Sequence, residues 1–126
     1  MHEALRRALQ VEFDAARKAV AERDLDAGFR HLERAHVLGQ AFVIPHVKSH
    51  LGMLRVGWLR RDLREIIGQL LRVPGAAIGS LLGHVPLGNT GGADVPPFRS
   101  MPIPDDLSQI LLGAEPGRRA CRPGRE

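Results

Sequence analysis

Apolar residues recur every three or four positions from residue 3 to about residue 73, which is the spacing of one face of an α-helix. Punctuating residues divide this stretch into four helical segments. Arg23-Asp24, Gly39 and Asp62 separate the segments. Pro74-Gly75 follows the fourth segment and is expected to end it, because proline breaks the hydrogen-bond pattern of a helix. The spacing therefore predicts an all-α fold.

Each segment carries one apolar stripe that is expected to face the protein interior. Pro45 suits the first turn of the third segment, where a missing N–H is tolerated. The residues predicted to point inward are Leu5, Leu9, Phe13, Ala16 and Val20 in the first segment, Leu25, Phe29, Leu32 and Ala35 in the second, Val47, Leu51, Leu54 and Trp58 in the third, and Leu63, Ile66, Ile67 and Leu70 in the fourth.

The sequence RDL occurs at residues 23–25 and again at 61–63, an offset of 38 residues (61 minus 23). Each half of the repeat is predicted to be a helix, a turn capped by aspartate and a second helix. The small and apolar positions around GFRHLERAH resemble those of tetratricopeptide repeats. We therefore expect two stacked antiparallel helical hairpins, a four-helix and repeat-like arrangement.

Residues 75–112 are rich in proline and glycine and predict an irregular wrap with short helices near 76–82 and 105–112. LGNTGG is expected to be a tight turn whose Asn89 and glycines take positive φ. The expected domain is 1–112, with a four-helix core at 1–74 and the wrap at 75–112, followed by a disordered tail at 113–126. The wrap is expected to be ordered by spaced apolar anchors, namely Val85, Leu87, Val95, Phe98, Met101 and Ile103.

Composition excludes several classes of protein. The net charge is +4, but the basic residues are interspersed with acidic ones up to the tail, so they form no continuous basic patch. The chain has four Phe, one Trp and no Tyr, so it also lacks aromatic residues on which bases could stack. A nucleic-acid partner is therefore not expected. No segment has the apolar length of a signal peptide or a membrane span, which predicts a cytoplasmic protein without a membrane partner. A protein partner or a homodimer stays open.

The stretch HLERAHVLGQAFVIPHVKSH at residues 31–50 holds four of the six histidines. A rotation of 100° per residue puts Glu33 and His36 about 60° apart, and His46 and His50 about 40° apart, so each pair shares a helix face. Antiparallel packing of the second and third helices then brings the two pairs together.

Glu12 interrupts the apolar stripe of the first helix and is expected to lie beside His36. A buried carboxylate must be paired or bound to metal. A carboxylate with imidazoles suits divalent zinc, iron, manganese or copper. The predicted ligand set is Glu12, His36, His46 and His50, in a site between the first three helices that serves metal handling or a metal-dependent reaction.

Three further residues have secondary roles in this hypothesis. Glu33 is a reserve ligand, or a general base if metal-bound water reacts, or else an exposed partner of nearby cations. His31 points about 140° away from His36 and is expected to flank the site, and Gln40 can line it. No catalytic residue is assigned. The alternative is an interaction module of helical-repeat type without metal, in which the histidines form a polar groove or hydrogen-bond between helices.

Four blocks, HLERAHVLGQ, PHVKSHLGML, PLGNTG and MPIPDDL, resemble a small bacterial family known as domain of unknown function 3703. The resemblance covers most of residues 10–107. It implies no activity. It does imply two family-like blocks, one formed by the histidines of residues 31–50 with Glu33 and Gln40, and the other by Gly88 to Gly91.

Overall fold

The computed structural model describes residues 1–113, and the part of the tail from residue 114 onward, predicted to be disordered, lies outside the described residues. The described chain forms five helices. Consecutive members of the first four pack on one another across short connections, and the fifth packs on the first two. The all-α prediction is confirmed. The helices are α1 (Glu3–Ala21), α2 (Leu25–Gly39), α3 (Val43–Arg60), α4 (Leu63–Leu82) and α5 (Asp105–Leu111).

The repeated RDL sequence has the same backbone structure at both of its positions. Arg23 and Arg61 take the left-handed conformation, with φ of 64° and 58°. The side chains of Asp24 and Asp62 then accept a hydrogen bond from the backbone N–H three residues later, at 2.9 and 3.1 Å. These bonds satisfy N–H groups that the first turn of a helix leaves without a partner. The predicted starts of α2 and α4 are confirmed.

The apolar core lies where α1, α2, α3 and α5 meet. The stripes predicted for the first two helices are buried or packed against this core. By contrast, the buried residues of α4 are Glu65, Gln69 and Ala76, so this helix turns a largely polar side inward. The buried core residues are Leu5, Leu9, Phe13, Ala16, Leu32, Ala35, Val37, Leu38, Met53, Val56 and Leu107.

The predicted stop at Pro74-Gly75 is wrong, because α4 continues to Leu82 with Pro74 inside it. A proline within a helix removes one backbone hydrogen bond and costs about 3 kcal/mol. The segment beyond it stays helical because it packs against the rest of the protein, with Ala76 4% exposed. Gly83 ends the helix in the left-handed conformation, with φ of 71°. The short helix predicted at 76–82 is therefore the last part of α4.

The inward stripes predicted for the third and fourth helices are also wrong in part. Leu51 and Trp58 on α3 are 50% and 71% exposed. On α4, Leu63, Ile67 and Leu70 are 71%, 58% and 57% exposed. Several inward positions of these two helices are occupied by polar residues instead, among them His46 and His50 on α3 and Gln69 on α4. The apolar residues on their other sides are left at the surface. Even with this apolar surface, none of the helices within residues 1–113 has both the length and the apolar character needed to cross a membrane.

The wrap between α4 and α5 is ordered by hydrogen bonds more than by apolar anchors. Leu87 and Phe98, two of the predicted anchors, are 62% and 90% exposed. Asn89 is 2% exposed, and its side-chain amide donates to the backbone oxygens of Pro96 and Arg99 at 2.9 and 2.7 Å. A buried amide that spans two carbonyls fixes the path of the loop. The backbone oxygen of Asn89 also contacts Nδ1 of His36, which holds the loop against the last turn of α2.

Candidate metal centre

Three histidines from neighbouring helices meet at one buried point. His36 lies in the last turn of α2, and His46 and His50 lie one turn apart on α3. The Nε2 atom of His36 is 2.9 Å from Nε2 of His46 and 3.1 Å from Nε2 of His50. One nitrogen from each ring lies within 4.8 Å of the other two, and all three histidines are buried. The three histidines are close enough to bind a single metal ion.

Each of the three rings is held in place through its other nitrogen, Nδ1. The partners come from α4 and from the loop that follows it, so these elements orient rings that α2 and α3 supply. Such contacts fix the direction in which a histidine presents its remaining lone pair. Nδ1 of His36 lies 2.7 Å from the backbone O of Asn89. Nδ1 of His46 lies 2.7 Å from Oγ of Ser80, and Nδ1 of His50 lies 2.6 Å from Oε1 of Gln69.

All three partner oxygens accept a hydrogen bond rather than donate one. A backbone carbonyl carries no proton. The Ser80 hydroxyl donates its proton to the backbone O of Gln40 at 2.7 Å. The Gln69 amide nitrogen donates to the backbone O of Gly91 at 2.9 Å, which leaves its oxygen facing His50. Each ring therefore carries its proton on Nδ1, and each Nε2 presents a bare lone pair.

The positions of these protons leave the cluster without an internal hydrogen bond. A hydrogen bond between two imidazole rings requires a proton on one of the facing nitrogens. In this cluster the three facing Nε2 atoms have only lone pairs, although His36 lies at hydrogen-bond distance from both His46 and His50. A cation placed among them is the partner that all three lone pairs can share.

Burial keeps these rings neutral. Removal from water lowers the pKa of His36 well below its usual range, and the charges of His50 and His46 lower it further. Burial, assisted by His50, lowers the pKa of His46 to about 4. Burial also lowers the pKa of His50, with Arg72 adding to the effect and the hydrogen bond to Gln69 opposing it. Unprotonated imidazole is the form that metal coordination requires.

The glycine turn at residues 88–91 packs directly against the centre formed by the three histidines. Gly88 and Gly91 take φ of 75° and 83°, as expected from the sequence, whereas the positive φ expected of Asn89 is not found. The N–H of Gly91 donates to the side-chain oxygen of Asn89 at 2.9 Å, while the backbone oxygen of Asn89 holds His36. A Cβ atom at Gly91 would lie 2.7 Å from Cδ2 of the His36 ring. The turn therefore positions His36, and only glycine fits at its closest approach.

Glu65 and Gln69 support the three histidines, although the sequence pattern assigned neither residue to the site. Gln69 is 0% exposed and donates to Glu65 Oε1 at 2.5 Å, in addition to its contact with His50. Glu65 accepts the N–H of Ala93 at 3.0 Å. These bonds form one continuous series of hydrogen bonds from the loop through α4 to α3. The sequence signal that could have identified them is the pair of long polar side chains one helical turn apart on α4. The apolar stripe predicted for this helix instead assigned both residues to the surface.

Glu12 lies outside the histidine group. Its carboxylate accepts a hydrogen bond from Nε of Arg34 at 2.7 Å and lies 2.7 Å from Nδ1 of His31. Arg34 also reaches Asp106 on α5 at 2.5 Å. Pairing, one of the two explanations for a carboxylate on an apolar stripe, thus accounts for Glu12 without a metal. His31 belongs to this ion-pair group and not to the surroundings of the three histidines.

Glu33, the predicted reserve ligand, faces other acidic residues. Burial raises the pKa of Glu33 to about 7, and the charges of Asp94 and Glu65 raise it in the same direction. Its carboxylate is not part of the group of nitrogens within 4.8 Å of one another. Glu33 therefore lies outside the group formed by the three histidines, and its role as a reserve ligand stays a prediction.

Gln40, the other predicted lining residue, anchors the loop beside the centre. It is 3% exposed. Its side-chain amide donates to the backbone O of Pro86 at 3.1 Å and accepts the N–H of Gly88 at 3.0 Å. Its own backbone oxygen receives the Ser80 hydroxyl. Gln40 thus supports the partner of His46 and the start of the glycine turn at the same time.

Two of the three nitrogen separations in the cluster are close to those of ligands on one metal ion. Zinc binds imidazole nitrogen at 2.0–2.1 Å, so tetrahedral geometry separates two such ligands by about 3.3 Å. Two of the three separations, 2.9 and 3.1 Å from Nε2 of His36 to Nε2 of His46 and His50, need to widen by ~0.3 Å to reach this value. The ligand nitrogens of the third pair, His46 and His50, lie within 4.8 Å of each other. A cavity of about 400 Å³ borders all three rings. The arrangement can therefore hold a metal ion beside this cavity.

The described residues define an all-helical protein with a buried cluster of three histidines. The sequence matches the family described as Protein of unknown function (DUF3703) over residues 3–111, and the chain belongs to this family. Comparison with curated proteins gave no match, and comparison with solved structures gave none. The family resemblance expected from the histidine blocks is confirmed, while the likeness to tetratricopeptide repeats stays a prediction.

Proposed function

We propose that this protein binds one divalent transition metal, with zinc as the best fit, through the Nε2 atoms of His36, His46 and His50. One observation carries the proposal. Every Nδ1 atom donates to an oxygen that can only accept, so three bare lone pairs converge at a buried point. Neutral imidazoles with fixed Nδ1–H donors are the usual form of histidine ligands to metals.

The ligand chemistry favours zinc over the other candidate metals. Three neutral nitrogens without a carboxylate or thiolate suit zinc, copper and iron, whereas manganese prefers oxygen ligands. Three protein ligands with a free position are typical of zinc centres that exchange a water or substrate, while structural zinc centres are closed by four protein ligands. The bordering cavity supports the open kind. A metal-dependent reaction or the transfer of metal to another molecule both use such a position.

Calorimetric titration of the metal-free full chain with zinc tests the proposal, together with elemental analysis of the loaded protein. One zinc ion per chain is expected. His36→Gln and His50→Gln should each lose most of the affinity, because two histidines are a poor site. His31→Gln is the matched control, since it removes a histidine from the same stretch of sequence but not from the cluster, and it should bind zinc like the parent. A parent chain that binds none of zinc, copper or iron would overturn the proposal.

A further inference from the structure

The cavity beside the three histidines has a wall of unusual composition. Beyond the histidines it is formed largely by apolar side chains, among them Leu71, Val85 and Phe98. Neither aspartate nor glutamate occurs among its lining residues. A divalent cation bound by neutral imidazoles keeps its full charge, because no ligand offsets it. The cavity would therefore present a cation to any molecule that enters, with hydrocarbon surface around it.

Arg72 adds a second positive charge to the same wall. Its Nη1 and Nη2 atoms donate to the backbone oxygens of Gly68 and Val95 at 3.1 and 2.8 Å. Its Nε–H is buried and has no hydrogen-bond partner. Among residues 1–113, no carboxylate lies within ion-pair distance of Arg72. A buried guanidinium donor without a partner is costly unless a ligand supplies an acceptor.

From the cavity wall and Arg72 together, we infer that the cavity binds a small organic carboxylate. One carboxylate oxygen would take the open position of the metal, Arg72 would supply the compensating charge, and the apolar wall would hold the hydrocarbon part. This inference rests on the proposed metal site. A carboxylate is preferred to phosphate, because one arginine and one open metal position satisfy a monoanion, while the apolar wall offers little to the further oxygens of a phosphate.

The full chain loaded with cobalt(II) provides the test, since the visible absorption of cobalt reports on its coordination. Benzoate should change the spectrum with saturation, and the neutral analogue benzamide should not. Arg72→Gln should weaken benzoate binding by about tenfold, because a charge-assisted contact is lost. It should not lower cobalt affinity, because it removes a positive charge beside the metal and none of the three histidines. The matched control is Arg64→Gln, which removes an exposed arginine from the same helix and should behave like the parent.

The outcomes separate the two proposals. A chain that takes up no cobalt overturns the metal site and this inference with it. A cobalt-loaded chain whose spectrum ignores benzoate overturns the inference alone. The inference also fails if benzamide acts like benzoate, or if inorganic phosphate binds more tightly than benzoate. Should Arg72→Gln not fold, as judged by helical circular dichroism, the comparison of benzoate with benzamide and phosphate on the parent still decides whether a carboxylate is recognised.

Discussion

The Nε2 atoms of His36 and His46 lie 2.9 Å apart, although both rings carry their protons on the opposite nitrogen. Two lone pairs at this distance repel each other. The surrounding structure nevertheless holds them there, because α4 and the glycine turn fix each ring from behind. This arrangement favours the proposed metal site, since a cation that binds to converging lone pairs requires little rearrangement of the protein.

Substitution of Ser80 tests whether the hydrogen bonds to the Nδ1 atoms of the histidines contribute to zinc affinity. Ser80→Ala removes the acceptor of the His46 Nδ1–H, so this ring can rotate or change its protonated nitrogen. Zinc affinity is expected to fall by about tenfold or more, as found when the supporting partners of metal ligands are removed. Calorimetric titration measures the effect. Ser108→Ala on α5 is the control, and an equal affinity in both variants would show that the Ser80 contact does not orient His46.

Gly91 links the glycine turn to the centre. Gly91→Ala forces a side chain into a φ of 83° and places its Cβ 2.7 Å from Cδ2 of His36. The strain should lower the free energy of unfolding by about 1–3 kcal/mol and displace the ring, so zinc binding should weaken as well. Urea unfolding and zinc titration measure the two effects.

The control for this substitution is Gly75→Ala in α4, where the added Cβ would meet no atom within 4 Å outside its chain neighbours and the nearby helix backbone. Alanine is favoured over glycine in a helix, so Gly75→Ala should leave stability unchanged or raise it by up to about 1 kcal/mol. Equal stability of the two variants would mean that the turn yields without cost and does not position His36.

Local signals made part of this structure predictable. The RDL caps depend on a residue and the backbone a few positions away, and the stripes of α1 and α2 depend only on helical spacing. His36, His46 and His50 could be placed together because two short-range spacings and one hairpin were enough. Their partners on α4 could not, because they are 34 residues away in the case of His46 and Ser80, and 19 in the case of His50 and Gln69.

The same polar partners explain the errors in the helices. A helix normally buries its apolar side, and this rule assigned Leu63, Ile67 and Leu70 to the interior. Here α4 buries Glu65 and Gln69 instead, because the centre offers them hydrogen bonds. Pro74 was expected to end the helix, because its helix-breaking tendency is a local property. The packing that keeps the following residues helical depends on residues distant in the sequence. The fold departs from the general rules where it builds the candidate site.

Glu12 provides a test of the ligand set. Its carboxylate contacts Arg34 and His31, so Glu12→Gln should leave zinc affinity unchanged. The variant should lose about 1–2 kcal/mol in the free energy of unfolding, because a partly buried charge-assisted hydrogen bond is weakened. Arg34→Gln should have a similar effect on stability. A loss of zinc binding in Glu12→Gln, with stability preserved, would instead return Glu12 to the ligand set predicted from the sequence.

Glu33 predicts a specific dependence of stability on pH. Its pKa is about 7 in the folded protein, mainly through burial and then through Asp94 and Glu65, against an ordinary value of 4.5. The folded state therefore binds this proton more tightly than the unfolded state does. The stabilising contribution is fully present below pH 4.5 and is lost as the pH rises to about 7.

Glu33→Gln removes this titration and keeps the shape of the side chain. The metal-free variant should be more stable than the parent at pH 8 by about 1 kcal/mol, a value reduced for the partial exposure of the group. The advantage should shrink as the pH falls toward 4.5, because the parent then carries a neutral carboxyl group as well. Urea unfolding of both chains from pH 5 to pH 8 measures the difference and cancels the titration of the histidines, which both chains share. A difference that is constant with pH would show that the Glu33 carboxylate is not held in an unfavourable environment.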